Sequence, residues 1–266
     1  MPVNTPAMPT ALIDTHIHFD DDRFDDDRAI VYDTAKRAGV HAMVIPATMQ
    51  SRWQKIQSIC RQYDHIYPTH GLHPLFCARH DDHHLDELKA LAVQGVAIGE
   101  CGLDKQKETI DLPLQRHFFA AQIDLAKELG MPLIIHARNT VEEVTAMLKQ
   151  ADLNREHGNG VIHSYNGSLQ QAHRLLDLNF KLSFGGPVTF QNARRIHELV
   201  VKLPLSTMML ETDAPDQSGS LHRGTRNEPQ WLPEILRAVA ELRGESAEQI
   251  AASSNNNAKS LFQLPG

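Results

Sequence analysis

Cysteine is scarce in this sequence. Cys60, Cys77 and Cys101 are odd in number and widely spaced, which excludes a disulfide framework and a zinc-finger spacing. A cytoplasmic, reducing compartment is the expectation. No apolar run approaches the ~18 residues of a membrane span, so no membrane association is expected. The opening residues MPVNTPAMPT lack the charged and apolar regions of a signal peptide and read as a flexible N-terminal extension, residues 1–10. Basic charge is not in surplus: the net charge of −7 argues against general coating of nucleic acid, while leaving room for a local basic patch. No Pro/Gly/Ser-rich linker, internal repeat or low-complexity tract divides the chain. The expectation is a single domain over residues 1–266, with no obligate protein partner.

What the chain does have is histidine, 16 residues against 15 glycines. Histidine is the commonest metal ligand. The sequence also repeats short apolar runs: Ala11–Asp14, Ala42–Ile45, Ile66–Thr69, Val96–Ile98, Leu133–Ile135, Val161–Ile162, Lys181–Phe184 and Met208–Leu210. Most lack polar alternation, as strands buried on both faces should. Segments of helical period lie between them, including Arg28–Ala38, Pro113–Leu129, Ser168–Leu178, Asn192–Leu203 and Pro229–Leu242. Eight strands alternating with helices predict an α/β fold, a (β/α)8 TIM barrel. A doubly wound open sheet is the alternative. It would place a Gly-rich phosphate loop after the first strand, where Asp14-Thr15-His16-Ile17-His18 stands instead.

Polar residues gather where these strands end. The first run leads to His16 and His18, the fourth to Glu100 and Asp104, the fifth to His136, the sixth to His163, and the eighth to Glu211 and Asp213. In a parallel barrel those ends form one rim, where barrel active sites lie. His16, His18, Glu100, His136, His163 and Asp213 are ligand types that suit two divalent ions, Zn, Mn or Mg. The proposed split gives one ion His16, His18 and Asp213 and the other His136 and His163, bridged by Glu100. Two such ions can share a hydroxide, with Asp213 as general base. Glu211, two residues before Asp213, is expected to hydrogen-bond a ligand histidine. The stretch His80–His84 is read as a polar loop before a helix, not as a metal site.

Several strings carry a family resemblance: Ile13-Asp14-Thr15-His16-Ile17-His18, Gly71-Leu72-His73-Pro74, Gly99-Glu100-Cys101-Gly102-Leu103-Asp104, Ile135-His136-Ala137-Arg138, His163-Ser164-Tyr165-Asn166-Gly167-Ser168 and Leu210-Glu211-Thr212-Asp213-Ala214-Pro215. They resemble the TatD family of metal-dependent hydrolases and deoxyribonucleases, in amidohydrolase-type barrels, and look most like its YjjV branch. The resemblance implies hydrolysis of phosphoester bonds, with DNA the best-supported substrate. It also implies that His73 and Asn227 line the site. His70 and Tyr165 depart from the family pattern; His70 is read as a packed residue, and the Tyr165 hydroxyl needs a partner if buried.

A deoxyribonuclease, an ester-bond hydrolase, is therefore the leading expectation. Arg138, Arg194, Arg195, Arg223 and Arg226 are candidate phosphate contacts. The alternative keeps the two ions and takes a small amide, lactone or phosphoester. Glu100, standing where lysine-bridged hydrolases carry a carbamylated lysine, favours the first. A non-catalytic binding protein leaves the ligand set without a rationale.

Overall fold

In the computed structural model, residues 11–106 and 111–265 are described. The expected extension, residues 1–10, lies outside the described residues. Eight strands alternate with helices: β1 (Leu12–Asp14), α1 (Arg28–Arg37), β2 (Val40–Ile45), α2 (Trp53–Gln62), β3 (Ile66–Pro68), α3 (Asp82–Ala92), β4 (Ile98–Asp104) and α4 (Leu112–Leu129). The second half continues as β5 (Leu133–Arg138), α5 (Val141–Ala151), β6 (Gly160–Ile162), α6 (Leu169–Asp177), β7 (Phe180–Phe184), α7 (Arg194–Lys202), β8 (Met208–Leu210) and α8 (Leu232–Arg243), with α9 (Ala247–Phe262) last.

Every strand pairing is parallel, in ladders β1-β2-β3 and β4-β5-β6-β7-β8. Two seams close them into a ring. At one, the Val96 and Gly99 amides donate to Pro68 O and His70 O, each at 2.9 Å. At the other, Thr15 N–H reaches Leu210 O at 3.2 Å and Asp213 N–H reaches His16 O at 2.9 Å. The fold is a (β/α)8 barrel, not an open sheet.

The fourth strand is displaced from its sequence expectation. Val96–Ile98 was the only apolar run there, but the ladder runs over Ile98–Asp104, every residue of it buried. Glycine hides the strand. A side chain at Gly99 would put its Cβ 2.5 Å from Ile134 O, and one at Gly71 would lie 2.4 Å from the Gly99 carbonyl carbon. The backbones meet too closely for side chains, so the strand has no hydrophobic signature. The result sets Glu100 on the strand itself, inside the barrel.

The far end of the barrel is plugged. Ile13, Val44, Ala97, Ile134, Val161 and Met209 pack against Ala258, Leu261 and Phe262 of α9 and against Leu264. This helix is held by polar residues: Asn255 Oδ1 accepts from Ile13 N–H at 3.1 Å, and Ser254 Oγ from Leu210 N–H at 2.9 Å. With that end stoppered, the cleft opens at the opposite rim. Outside, the barrel meets the helices in a second, larger core. The His80–His84 stretch is a helix start, where Asp81 caps α3 and His84 returns the bond. No described helix is long and apolar enough to cross a membrane.

Candidate metal centre

At the open rim, β1 runs into His16 and His18, whose Nε2 atoms each lie 3.5 Å from Asp213 Oδ1. The same nitrogens stand 3.3 and 3.5 Å from Glu100 Oε2. The other Glu100 oxygen faces His163 Nε2 at 2.9 Å, His73 Nε2 at 3.0 Å and His136 Nδ1 at 3.2 Å. Glu100 is thus the hub of five imidazoles, and all six predicted ligands come together around it. Three groupings bring donor atoms within 4.8 Å of one another: His16–His18–Asp213, His16–Glu100–His163 and His73–Glu100–His136.

Hydrogen bonds outside the cluster decide which nitrogens face it. His136 Nε2 lies 2.7 Å from Asp104 Oδ2, so it carries the proton and Nδ1 turns a lone pair inward. His73 is the reverse: Nδ1 accepts the Leu75 amide at 3.1 Å, so the neutral ring is protonated on Nε2 and donates to Glu100. A proton there leaves no lone pair for an ion. His73 therefore drops out of the third grouping as a hydrogen-bond donor to Glu100, which leaves Glu100 and His136 as its donors to an ion.

The donor set fits divalent cations. Among the described residues, His16 Nε2 and Glu100 Oε2 are both buried without a hydrogen-bond partner, 3.3 Å from each other. Lone pairs converging without a proton between them are costly unless a cation joins them. The ionisation tells the same story. Burial opposes the Glu100 charge, yet His73, His163 and His16 hold its carboxyl well below the usual carboxylate range. Burial likewise disfavours a charged His163, but Glu100 pushes it up to about 10. His16 goes the other way, down to about 4, through burial and then the neighbouring His163. The site calls for positive charge beside Glu100, which raises the pKa of His18, His136 and His163 against the effect of burial.

The profile described as TatD related DNase matches residues 13–263. The chain belongs to the TatD family. Across 262 residues it is 35% identical to the uncharacterized metal-dependent hydrolase YjjV of Escherichia coli K12, covering 97% of this chain and all of that one. It is 32% identical to the 3'-5' ssDNA/RNA exonuclease TatD of Cronobacter sakazakii, over 94% of this chain and 97% of the relative. The crystal structure of E. coli YjjV superposes with a TM-score of 0.91 at 34% identity, covering 96% and 99% of the two chains.

Not every position expected from the TatD resemblance lines the site. Asn227 is buried behind it: its amide donates to Thr212 O at 2.8 Å and Asp216 O at 2.7 Å, bracing the turn that follows Asp213. That corrects the expectation that it lines the cleft. Glu211 lies 3.8 Å from His163 Nδ1, beyond hydrogen-bond reach. Its oxygens instead accept from Ser164 N–H at 2.6 Å and Ser183 Oγ at 2.5 Å, so it holds the backbone after His163 and not the ring. His70 packs edge-on to Trp53, with ring centroids 6.1 Å apart, and does not line the cleft. Tyr165 satisfies its hydroxyl on Ser168 O at 2.9 Å. Two residues take roles that the sequence does not assign: Asp104, placed on the rim without a function, and Gln217, not singled out at all. Asp104 was visible at a strand end; Gln217 carried no signal.

The rim opens into a cleft of about 1270 Å³. Arg138 and Arg195 line it, whereas Arg194 and Arg223 do not. Arg226 is engaged elsewhere, paired with Asp27 at 2.7 Å and Glu228 at 2.8 Å over the Phe24 ring. It is a brace for the acidic loop, not a phosphate contact. Also in the lining, Asp21 and Asp216 are bound to Arg23 at 2.9 and 2.8 Å.

Proposed function

We propose that this chain, acting as a single domain, is a two-ion phosphoester hydrolase with DNA as its substrate class, in the manner of a deoxyribonuclease. His16, His18 and Asp213 would hold one ion and His136 and His163 the other, with Glu100 shared. The ions would supply Lewis acidity towards a phosphoryl oxygen and an acidified water. The observation that carries the reading is Glu100, a buried carboxylate with one oxygen against His16 and His18 and the other against His136 and His163. A carboxylate offers two oxygens to two centres, which no single imidazole nitrogen does.

The chain's own groups divide the remaining work. Asp104 keeps the proton of His136 on Nε2, and His73 donates to Glu100 Oε1, restraining the shared carboxylate. Asp213, with Oδ1 turned towards His16 and His18, accepts the proton of the attacking water. Arg138 and Arg195, on the cleft wall, neutralise flanking phosphates. The relative named a 3'-5' ssDNA/RNA exonuclease supports this substrate class.

A second reading, a small phosphoester, amide or lactone in the same cleft, draws support from a lining that is not basic in surplus: Arg23, Arg52, Lys105, Arg138 and Arg195 are matched by Asp20, Asp21, Glu142, Glu143 and Asp216. Metal-stripped protein reloaded with Zn²⁺, Mn²⁺ or Mg²⁺ separates the two. We expect metal-dependent cleavage of single-stranded DNA and of bis-p-nitrophenyl phosphate. Turnover confined to small esters or amides, with DNA untouched by every reloaded form, would overturn the nuclease reading.

A further inference from the structure

The turn after Asp213 carries a side chain that the proposed chemistry has not used. Asp213 shows Oδ1 to His16 and His18, while its Oδ2 accepts an N–H from Gln217 Nε2. The other end of the Gln217 amide, Oε1, accepts the Ser164 hydroxyl at 2.9 Å. These roles cannot be exchanged. A carboxylate only accepts, so the amide nitrogen must face Asp213, and the amide oxygen must then face the one group that can donate to it. Ser164 is itself held, because its backbone N–H is bound by Glu211. A single chain of hydrogen bonds therefore runs from Glu211 beside β8, through the residue following His163, back to Asp213.

The backbone is shaped to make this chain. Ser164, Asp213 and Gln217 are all non-glycine residues in the left-handed region, with φ of 46°, 56° and 50°. Such residues cost of order 1 kcal/mol or more each, and they persist where surrounding structure holds them. That structure is visible here. Asn227 grips Thr212 O and Asp216 O on either side of Asp213. Across the rim, a Cβ on Gly186 would fall 2.1 Å from Gln217 O, so only glycine lets the turn lie so close. Gln217 is an exposed residue on a rigid support, aimed at one carboxylate oxygen.

We infer that Gln217, oriented by Ser164, is a positioning residue for Asp213: it occupies Oδ2 so that Oδ1 alone is presented to the ion and to the proton it accepts. The inference rests on the reading of Asp213 as ligand and base. An Asp213 freed from Gln217 can rotate, present either oxygen or both, and lose its fixed angle to His16 and His18. Hydrogen bonds that orient a ligand are typically worth ~10–100-fold in metal affinity or activity.

The test uses the full chain and Mn²⁺ as the probe. Gln217→Met keeps the length and removes both polar ends. Gln217→Asn keeps the amide, suits the left-handed backbone and withdraws it from both partners. Calorimetric titration should give Mn²⁺ binding ~10–100-fold weaker in both variants, with kcat on bis-p-nitrophenyl phosphate ~10-fold or more lower and melting temperature unchanged. Ser164→Ala should weaken Mn²⁺ binding in the wild-type background and add nothing in Gln217→Met, since it acts through Gln217. Wild-type Mn²⁺ affinity in the two Gln217 variants, or an equal Ser164→Ala effect in both backgrounds, would overturn the inference. Asp213→Asn run alongside keeps the two readings apart. If it binds Mn²⁺ and turns over normally, the site assignment itself fails. If it loses both while the Gln217 variants keep both, only the positioning role fails.

Discussion

His136 turns Nδ1 to Glu100 because Asp104 holds its Nε2, 2.7 Å away. The two residues are diagonal neighbours on adjacent strands, since Asp104 pairs with Arg138 and Gly102 with His136 in the β4–β5 register. Asp104 Oδ1 is already committed to the Gln106 amide at 2.7 Å, which fixes the carboxylate plane.

Asp104→Asn should therefore invert the tautomer of His136. The Asn carbonyl would stay on the Gln106 amide, leaving its NH₂ against Nε2, which would then have to accept. Nδ1 would carry the proton and stop being a ligand. We expect divalent-ion affinity to fall ~10–100-fold without loss of fold. Metal titration with a melting curve checks both halves.

Glu100→Ala should do more damage than the loss of any one histidine. It removes the group that meets His16, His18, His73, His136 and His163 within 3.5 Å. His16→Ala or His136→Ala should loosen mainly one ion. Bound metal per chain, counted after gel filtration, distinguishes these. Two tightly held ions in the Glu100 variant would refute the shared-carboxylate assignment.

Asp213→Asn separates proton transfer from coordination. The substitution keeps size and one oxygen but removes the basicity. If Asp213 accepts the proton of the attacking water, kcat should fall ~10²–10⁴-fold and stay low as metal is raised to saturation. Full recovery at high metal would leave Asp213 as a ligand alone.

His70 makes the fold acid-sensitive. Burial pushes its pKa from 6.5 down to about 4, so the folded chain refuses a proton that the unfolded chain accepts. The stability this position contributes is intact above pH 6.5 and is lost as pH falls towards 4. Converted through linkage, the loss amounts to about 3 kcal/mol. His70→Leu should show a smaller drop in urea-melt stability between pH 7 and pH 4.5 than the wild type. Equal drops in the two proteins would mean that His70 plays no part.

Much of the barrel is legible along the chain, because burial on both faces writes an apolar run that needs no partner to be recognised. The rim follows from it: once strands are placed, His16, His18, Glu100, His136, His163 and Asp213 must share one end. The same logic failed at β4, where the close approach of Gly99 to Ile134 erased the apolar run. Nor does it reach α9, whose Ser254 and Asn255 accept strand amides at the closed end of the barrel, a role that no apolar run announces.

The sequence by itself thus determined the fold class and which residues gather at the rim, since both depend on local periodicity and on where each strand stops. Only the tertiary structure decided how each group is oriented. Asp104 and His136 are 32 residues apart, Ser164 and Gln217 53 apart, and Asn255 reaches Ile13 across 242. A hydrogen bond depends on distance and angle in space, and separation along the chain carries neither. That is why His73 proves to be a donor on Glu100, Asn227 a brace behind the cleft, and Gln217 the neighbour of Asp213.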